Sequence, residues 1–269
     1  MRKTLVLVAA ATLSAAPAVA TDGELHTFHC LYGCPTGSPG TNDVVVREIY
    51  TLSSNDLTRL ADWVAYRVTP ETIGPSGGRN WATDPSLAAD ETLTEESYVG
   101  APDAIHIDRG HQAPLAAFSG TPFADQTNIL SNITPQASAL NQGSWQRLEG
   151  RERALAQSAN GAVYVLTGPL FERPMRAMPA GPEMHRVPSG YWKIIVLPDG
   201  RMTAFIFDQN TPRNANHCDH RATLLEVQLR SRLMLFPMRG TVTFGSLDAD
   251  LGCTSPPPPP TPPSEIETR

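Results

Sequence analysis

The sequence predicts an α+β fold with a largely antiparallel central sheet flanked by helices. Three observations carry that expectation. Runs rich in β-branched and aromatic residues recur at 44–52, 63–69, 163–166 and 192–197. The last is followed by Pro198-Asp199-Gly200 and a returning run, 202–207, which is a hairpin pattern. Helical spacing is confined to two well-separated stretches, Asn141 to about Gln157 and 222–235.

The first twenty residues stand apart from that fold. Arg2 and Lys3 precede an apolar, alanine-rich run, and Ala18-Val19-Ala20 is an A-x-A cleavage site. This is the tripartite pattern of a secretory signal peptide. The run is too short to span a bilayer comfortably. A secreted or periplasmic chain, cleaved near Ala20 and with no membrane partner in its mature form, is therefore expected. A cysteine- and glycine-rich segment follows, then a strand over 44–52. The next strand, 63–69, sets Val64, Tyr66 and Val68 against Ala65 and Arg67. Residues 69–94 are loop-rich, with Pro70, Pro75, Gly77, Gly78 and Pro85, and hold Arg79 close to Trp81. Residues 128–136 read as a strand broken by Pro135. Asn141 opens the clearest helix, with Trp145, Leu148 and Leu155 at helical spacing and many good helix formers. Residues 163–166 are a buried strand closed by Gly168-Pro169. The helix over 222–235 carries Leu224, Leu225, Val227 and Leu229. The proline run from Pro256 cannot join a sheet and reads as an extended polyproline segment. The expected organisation is a signal peptide (1–20), one domain (21–254) and a proline-rich disordered tail (255–269).

At 269 residues the chain can bury one large core, and no flexible linker divides it. The net charge is −6; the first twenty residues hold two cations and no acid, leaving about −8 after cleavage. Such a balance argues against broad attraction to polyanions, but not against a local arginine-lined cleft. The four cysteines, Cys30, Cys34, Cys218 and Cys253, allow three pairings, of which the local one is simplest. The rival is a metal site, since His29 adjoins Cys30 and His217 adjoins Cys218. An oxidising compartment favours disulfides.

The chemistry concentrates at Asp108-Arg109-Gly110-His111-Gln112-Ala113-Pro114. Arg109 can hold an anionic oxygen while His111 takes a proton from water, which suits phosphodiester hydrolysis. Asp108 is a candidate to orient a neighbour by hydrogen bonding, or is simply a turn carboxylate; a backbone carbonyl could serve His111 equally. Asn141 and Glu149, eight residues apart, lie on one broad side of a helix about 12 Å apart along its axis. They cannot both grip one ion directly on a straight helix. Hydrated Mg²⁺ needs only one or two protein oxygens. Asn141 could then bind directly and Glu149 through water. The plainer readings are a helix N-cap for Asn141 and a surface pair with Arg153 for Glu149. Arg79 and Arg153 could make bidentate bonds to phosphate. Asn128, Asn132 and Gln136 could support the metal shell or bind substrate. Asn132 also opens a glycosylation sequon, although a structural role for its amide is favoured.

The run from Asp108 to Ala116 resembles the hallmark of the DNA/RNA non-specific endonuclease family. Leu130-Ser131-Asn132-Ile133-Thr134-Pro135-Gln136, Leu140-Asn141-Gln142-Gly143 with Trp145, and Arg147-Leu148-Glu149 resemble its second signature. Cys30 to Gly37, Trp63 to Tyr66, Arg79-Asn80-Trp81, Thr167 to Leu170 and Phe207 to Pro212 extend the likeness over about 28–253. The resemblance implies a ββα-metal site. It implies His111 as general base, Asn141 as direct Mg²⁺ ligand (Mn²⁺ being the alternative ion) and Glu149 as organiser of the metal's waters. Arg79, Arg109 and Arg153 would hold the phosphate or stabilise its transition state, and Asp108, Asn128, Asn132 and Gln136 would support the site. It implies the two local disulfides and often a homodimer. The activity it implies is cleavage of DNA and RNA by water, with 5′-phosphate products and little sequence preference. Departures lie in the proline tail and over 173–188. A non-catalytic nucleic-acid-binding protein on the same fold would have lost a catalytic residue, and none of His111, Asn141 or Glu149 is missing. A phosphodiesterase for small substrates is a third reading.

Overall fold

The computed structural model describes residues 25–254 apart from 76, 160, 183 and 184. The expected signal peptide and the proline-rich tail lie outside the described residues. In chain order the strands are β1 (Asp43–Val46), β2 (Tyr50–Asn55), β3 (Leu60–Val68), β4 (Ile107–His111), β5 (Ile133–Ala137), β6 (Val163–Leu170), β7 (Gly190–Val196), β8 (Arg201–Asp208), β9 (Arg221–Ala222) and β10 (Gly245–Ser246). The helices are α1 (Ala101–Ile105), α2 (Leu115–Phe118), α3 (Ser138–Leu140), α4 (Gln146–Ala159) and α5 (Leu224–Ser231). The main sheet runs β1-β2-β3-β6-β7-β8-β10, with β9 also on β8. Among the described residues, only β10 joins it in parallel. β4 and β5 form a separate antiparallel pair.

Both faces of the sheet are covered. On one, Trp145, Leu148 and Leu155 from α4 and the turn before it meet Val64, Tyr66, Ile195 and Phe205. On the other, Val227 of α5, Leu235 and Cys30 meet Trp63, Trp192 and Ile194. Burial on both faces explains why β7 is buried along its whole length instead of alternating polar and apolar.

The structure corrects several element boundaries. Residues 44–52 are a hairpin, not one strand, with the Arg47 N–H donating to the Tyr50 carbonyl. Its turn, Arg47-Glu48-Ile49, lacks glycine, proline and asparagine. Distant partners hold it instead, with Arg47 on Asp84 and Gln126 donating to Glu48. β6 continues through Gly168-Pro169 because β3 pairs with it only as far as Thr167. Pro169 therefore needs no donor on that side. Residues 128–132 form 3₁₀ turns, and β5 begins at Ile133 with Pro135 inside it. That proline is tolerated because β5 pairs only with β4. The last expected helix is shorter: Thr223 caps α5 and Arg232, at φ 62°, ends it. Leu233, Leu235 and Phe236 then turn back into the core.

The helix expected from Asn141 starts earlier and is not straight. α3 passes through a π-helical turn, Asn141–Trp145, into α4, and Gly143 leaves helical geometry at φ −115°, ψ −116°. Glycine is required there, since a Cβ would lie 2.6 Å from the Arg213 carbonyl oxygen.

Cys30–Cys34 and Cys218–Cys253 are both disulfides. The metal reading of the cysteines falls with them, and His217 Nε2 donates to the Leu251 carbonyl. The second bridge closes a separation of 35 residues. Cys253→Ser is expected to lower unfolding free energy by about 2–4 kcal/mol. Urea unfolding checks this, and an unchanged midpoint would remove the bridge from the account of stability.

Candidate active site

β4, β5 and the helix that follows are the two strands and helix of a ββα unit. Arg109 and His111, two residues apart on β4, fall on one face of the strand. The turn before α4 brings Asn141, α4 brings Glu149 and Arg153, and the loop after β3 brings Arg79 and Trp81. All of these line one cleft of about 440 Å³, together with Asp108 and Gln142. The kink at Gly143 means that Asn141 and Glu149 do not ride one straight helix.

His111 is buried. Its Nε2 donates to Asn128 Oδ1 at 3.1 Å, which leaves Nδ1 with the lone pair. Burial pushes its pKa down to about 4, against the raising effect of the Asn128 bond; the Arg79 charge lowers it further. The imidazole is therefore neutral and able to accept a proton at physiological pH. Trp81 packs against it with ring centroids 5.4 Å apart. The same indole and Tyr98 flank the Arg109 guanidinium at 5.4 and 5.2 Å. Arg109 Nη2 also donates to the Glu95 carbonyl at 3.0 Å. A stacked, tethered guanidinium has lost its freedom before any anion arrives.

Asp108 does not orient His111; Asn128 does. Asp108 instead holds the turn carrying Asn141. Its Oδ1 accepts from Ser138 Oγ (2.6 Å), and its Oδ2 accepts from Asn141 Nδ2 and Gln142 Nε2 (both 2.8 Å). With its nitrogen engaged, the Asn141 amide turns its oxygen away from Asp108. Asn141 is no N-cap, because the chain is already helical in α3 before it.

Glu149 is half-buried and makes no ion pair with Arg153 among the described residues. Burial pushes its carboxyl up to about 7; Glu152 adds to the rise, while Lys193 and Arg153 oppose it. A nearby cation would favour its ionised form. An amide oxygen and a carboxylate in one cleft are hard donors that fit Mg²⁺. Arg153 Nη1 is buried and has no hydrogen-bond partner among the described residues, and Arg79 is exposed at the rim.

Asn128, Asn132 and Gln136 do not line the cleft. Asn132 is a buried staple: Oδ1 accepts from the Ala113 N–H (2.9 Å), and Nδ2 donates to the Ala113 and Thr127 carbonyls (2.9 and 2.8 Å). This ties the chain after His111 to the turn bearing Asn128, and leaves no exposed amide for a glycan. Gln136 packs on Gly110, where a Cβ would lie 2.6 Å from its own Cβ.

Two supporting groups escaped sequence reasoning. Gln209 is buried; its Oε1 accepts from the Ala137 N–H (2.8 Å) and its Nε2 donates to the Pro135 carbonyl (2.9 Å), bolting β5 to the main sheet. Beneath α4, Lys193 Nζ donates to Glu152 Oε1 (2.9 Å), and Tyr66 Oη donates to Glu152 Oε2 (2.7 Å). Both charged side chains are fully buried. Their signals were a lone lysine in the apolar run of β7, and a glutamate at the spacing of Trp145, Leu148 and Leu155 on the inner helix face.

A model of the DNA/RNA non-specific endonuclease family matches residues 31–235. A nuclease of Serratia marcescens is 45% identical over 236 residues, covering 86% of this chain and 88% of that one. Nuclease C1 of Cunninghamella echinulata var. echinulata is 31% identical over 81% of this chain and 92% of its own. Among solved structures, the EndoG/EndoGI complex matches with a TM-score of 0.65 over 77% of this chain and 92% of that one. At 24% identity that likeness concerns the fold.

Proposed function

The chain belongs to the DNA/RNA non-specific endonuclease family, and from that premise we propose that it is a Mg²⁺-dependent, sugar-nonspecific endonuclease leaving 5′-phosphate ends. The observation that supports this reading is the convergence of His111, Arg109, Asn141 and Glu149 on one cleft. His111 Nδ1 accepts a proton from the attacking water. Arg109, Arg79 and Arg153 offset the charge that grows on the non-bridging oxygens. Asn141 would bind the cation directly and Glu149 through water, with Asp108 holding the Asn141 amide in place. When bound, that cation supplies electrostatic stabilisation of the departing 3′ oxygen. The nucleophile is water and not a ribose hydroxyl, so DNA and RNA are both substrates. The cleft groups address phosphate and not base edges, so sequence preference is weak. Residues 1–20 are proposed to direct export, a reading that the two disulfides support.

The test incubates purified protein with plasmid DNA and with RNA. Both are expected to be cut in Mg²⁺, to survive in EDTA, and to be cut again when Mg²⁺ is restored. Undiminished cleavage in EDTA would sink the metal assignment. Intact nucleic acid in Mg²⁺ would sink the nuclease reading.

A further inference from the structure

Beyond the groups around the scissile phosphate, we propose that Arg213 is a second phosphate-binding position, holding a neighbouring phosphate of the bound nucleic-acid strand. The proposal rests on the nuclease reading for its substrate class. Arg213 lies in the exposed segment after β8. Its Nη2 donates to Gln142 Oε1 at 2.8 Å, and Gln142 Nε2 donates to Asp108 Oδ2, the oxygen that also holds Asn141. The guanidinium therefore sits across Gln142, a residue of the cleft wall, from Asp108. The chain around it is fixed, not a free loop. Its carbonyl and that of Ala215 accept from Arg147 Nη2 at 2.8 and 2.6 Å. Ser144 Oγ also donates to Ala215, and the Arg213 backbone packs on Gly143 closely enough to exclude a Cβ.

The side chain is thus aimed but barely used. One of its donors is spent on a neutral amide, and no carboxylate lies within ion-pairing distance among the described residues. By contrast, Arg173, in the segment after β6, and Arg201, on β8, are neutralised by Asp208 and by Asp199 and Asp250. A fixed, uncompensated guanidinium beside the cleft of an acidic protein fits one anion of a polymer, and its planar fork matches phosphate.

The experiment measures binding of a short fluorescent DNA duplex to the full chain in EDTA across a salt series. Arg213→Gln is expected to weaken binding and to reduce the slope of log K against log salt by about 0.9, one phosphate contact. Arg213→Lys is expected to keep the slope of the unaltered chain. In Mg²⁺, Arg213→Gln is expected to lose more activity on polymeric DNA, through KM, than on a diester with a single phosphate. Equal slopes, absent binding by the unaltered chain, or equal losses on both substrates would overturn the proposal. The binding arm reads no turnover. Failure to cut DNA would therefore count against the nuclease reading while the salt slope decided the role of Arg213.

Discussion

His111→Ala is expected to lower kcat on DNA by about 10²–10⁴-fold, the usual worth of a positioned general base. The fold should survive, because alanine leaves no buried charge and the Asn132 staple beside it does not involve the imidazole. The pH profile gives a sharper check. A base works only when unprotonated, and the folded state holds His111 down to about 4 by burial. At saturating Mg²⁺, which would hold Glu149 ionised below its metal-free value of about 7, activity should therefore persist well below the ordinary histidine range and be lost as pH falls through about 4. An acid limb near the unperturbed value of about 6.5 would show that another group is titrating, or that the imidazole is less enclosed than its packing against Trp81 indicates. Full activity in the alanine variant would remove the assignment outright.

The second large effect concerns stability. Removing either Lys193 or Glu152 alone leaves an uncompensated charge among fully buried neighbours, a change expected to cost about 3–5 kcal/mol. Lys193 Nζ also stands 4.2 Å from the Trp145 ring centroid, so its loss strips a contact from the turn leading into α4. Lys193→Met with Glu152→Leu and Tyr66→Phe should recover most of the loss, since a well-packed apolar cluster replaces the network without an orphaned charge or hydroxyl. Urea unfolding of the single and combined variants measures this. A single-variant cost below about 1 kcal/mol would mean that water reaches the pair, as at surface sites. The pair ties the helix carrying Glu149 and Arg153 to β7, so the same variants should be impaired in catalysis beyond what unfolding accounts for.

The parts of the fold legible in the sequence were those whose information is local. The β7–β8 hairpin was marked by Pro198-Asp199-Gly200, and α4 by Trp145, Leu148 and Leu155 at helical spacing. The β1–β2 turn was not legible, because Asp84 and Gln126, far along the chain, hold it in place of a turn residue. Nor was the continuation of β6 through Pro169, since whether a proline breaks a strand depends on which neighbour needs its missing N–H. At the site, residue identities were readable but their division of labour was not. Asp108 adjoins Arg109 and His111 in sequence, yet its carboxylate turns toward Ser138 and Asn141. Asn128, seventeen residues from His111, makes the bond that sets the imidazole's tautomer.

The sequence by itself determined the residue types able to hold a phosphate, accept a proton and bind a hard cation, together with the helix that bears Glu149 and Arg153; the strand that bears Arg109 and His111 came with the tertiary structure. It did so because side-chain chemistry and short-range periodicity are written in consecutive positions. Only the tertiary structure decided which group orients which, how strongly burial displaces the protonation of His111 and Glu149, and that a buried Lys193–Glu152 pair lies under the helix. Hydrogen bonds, desolvation and close approaches such as Gly143 on Arg213 are set by distances between segments remote in the chain, and those distances exist only once the core has packed.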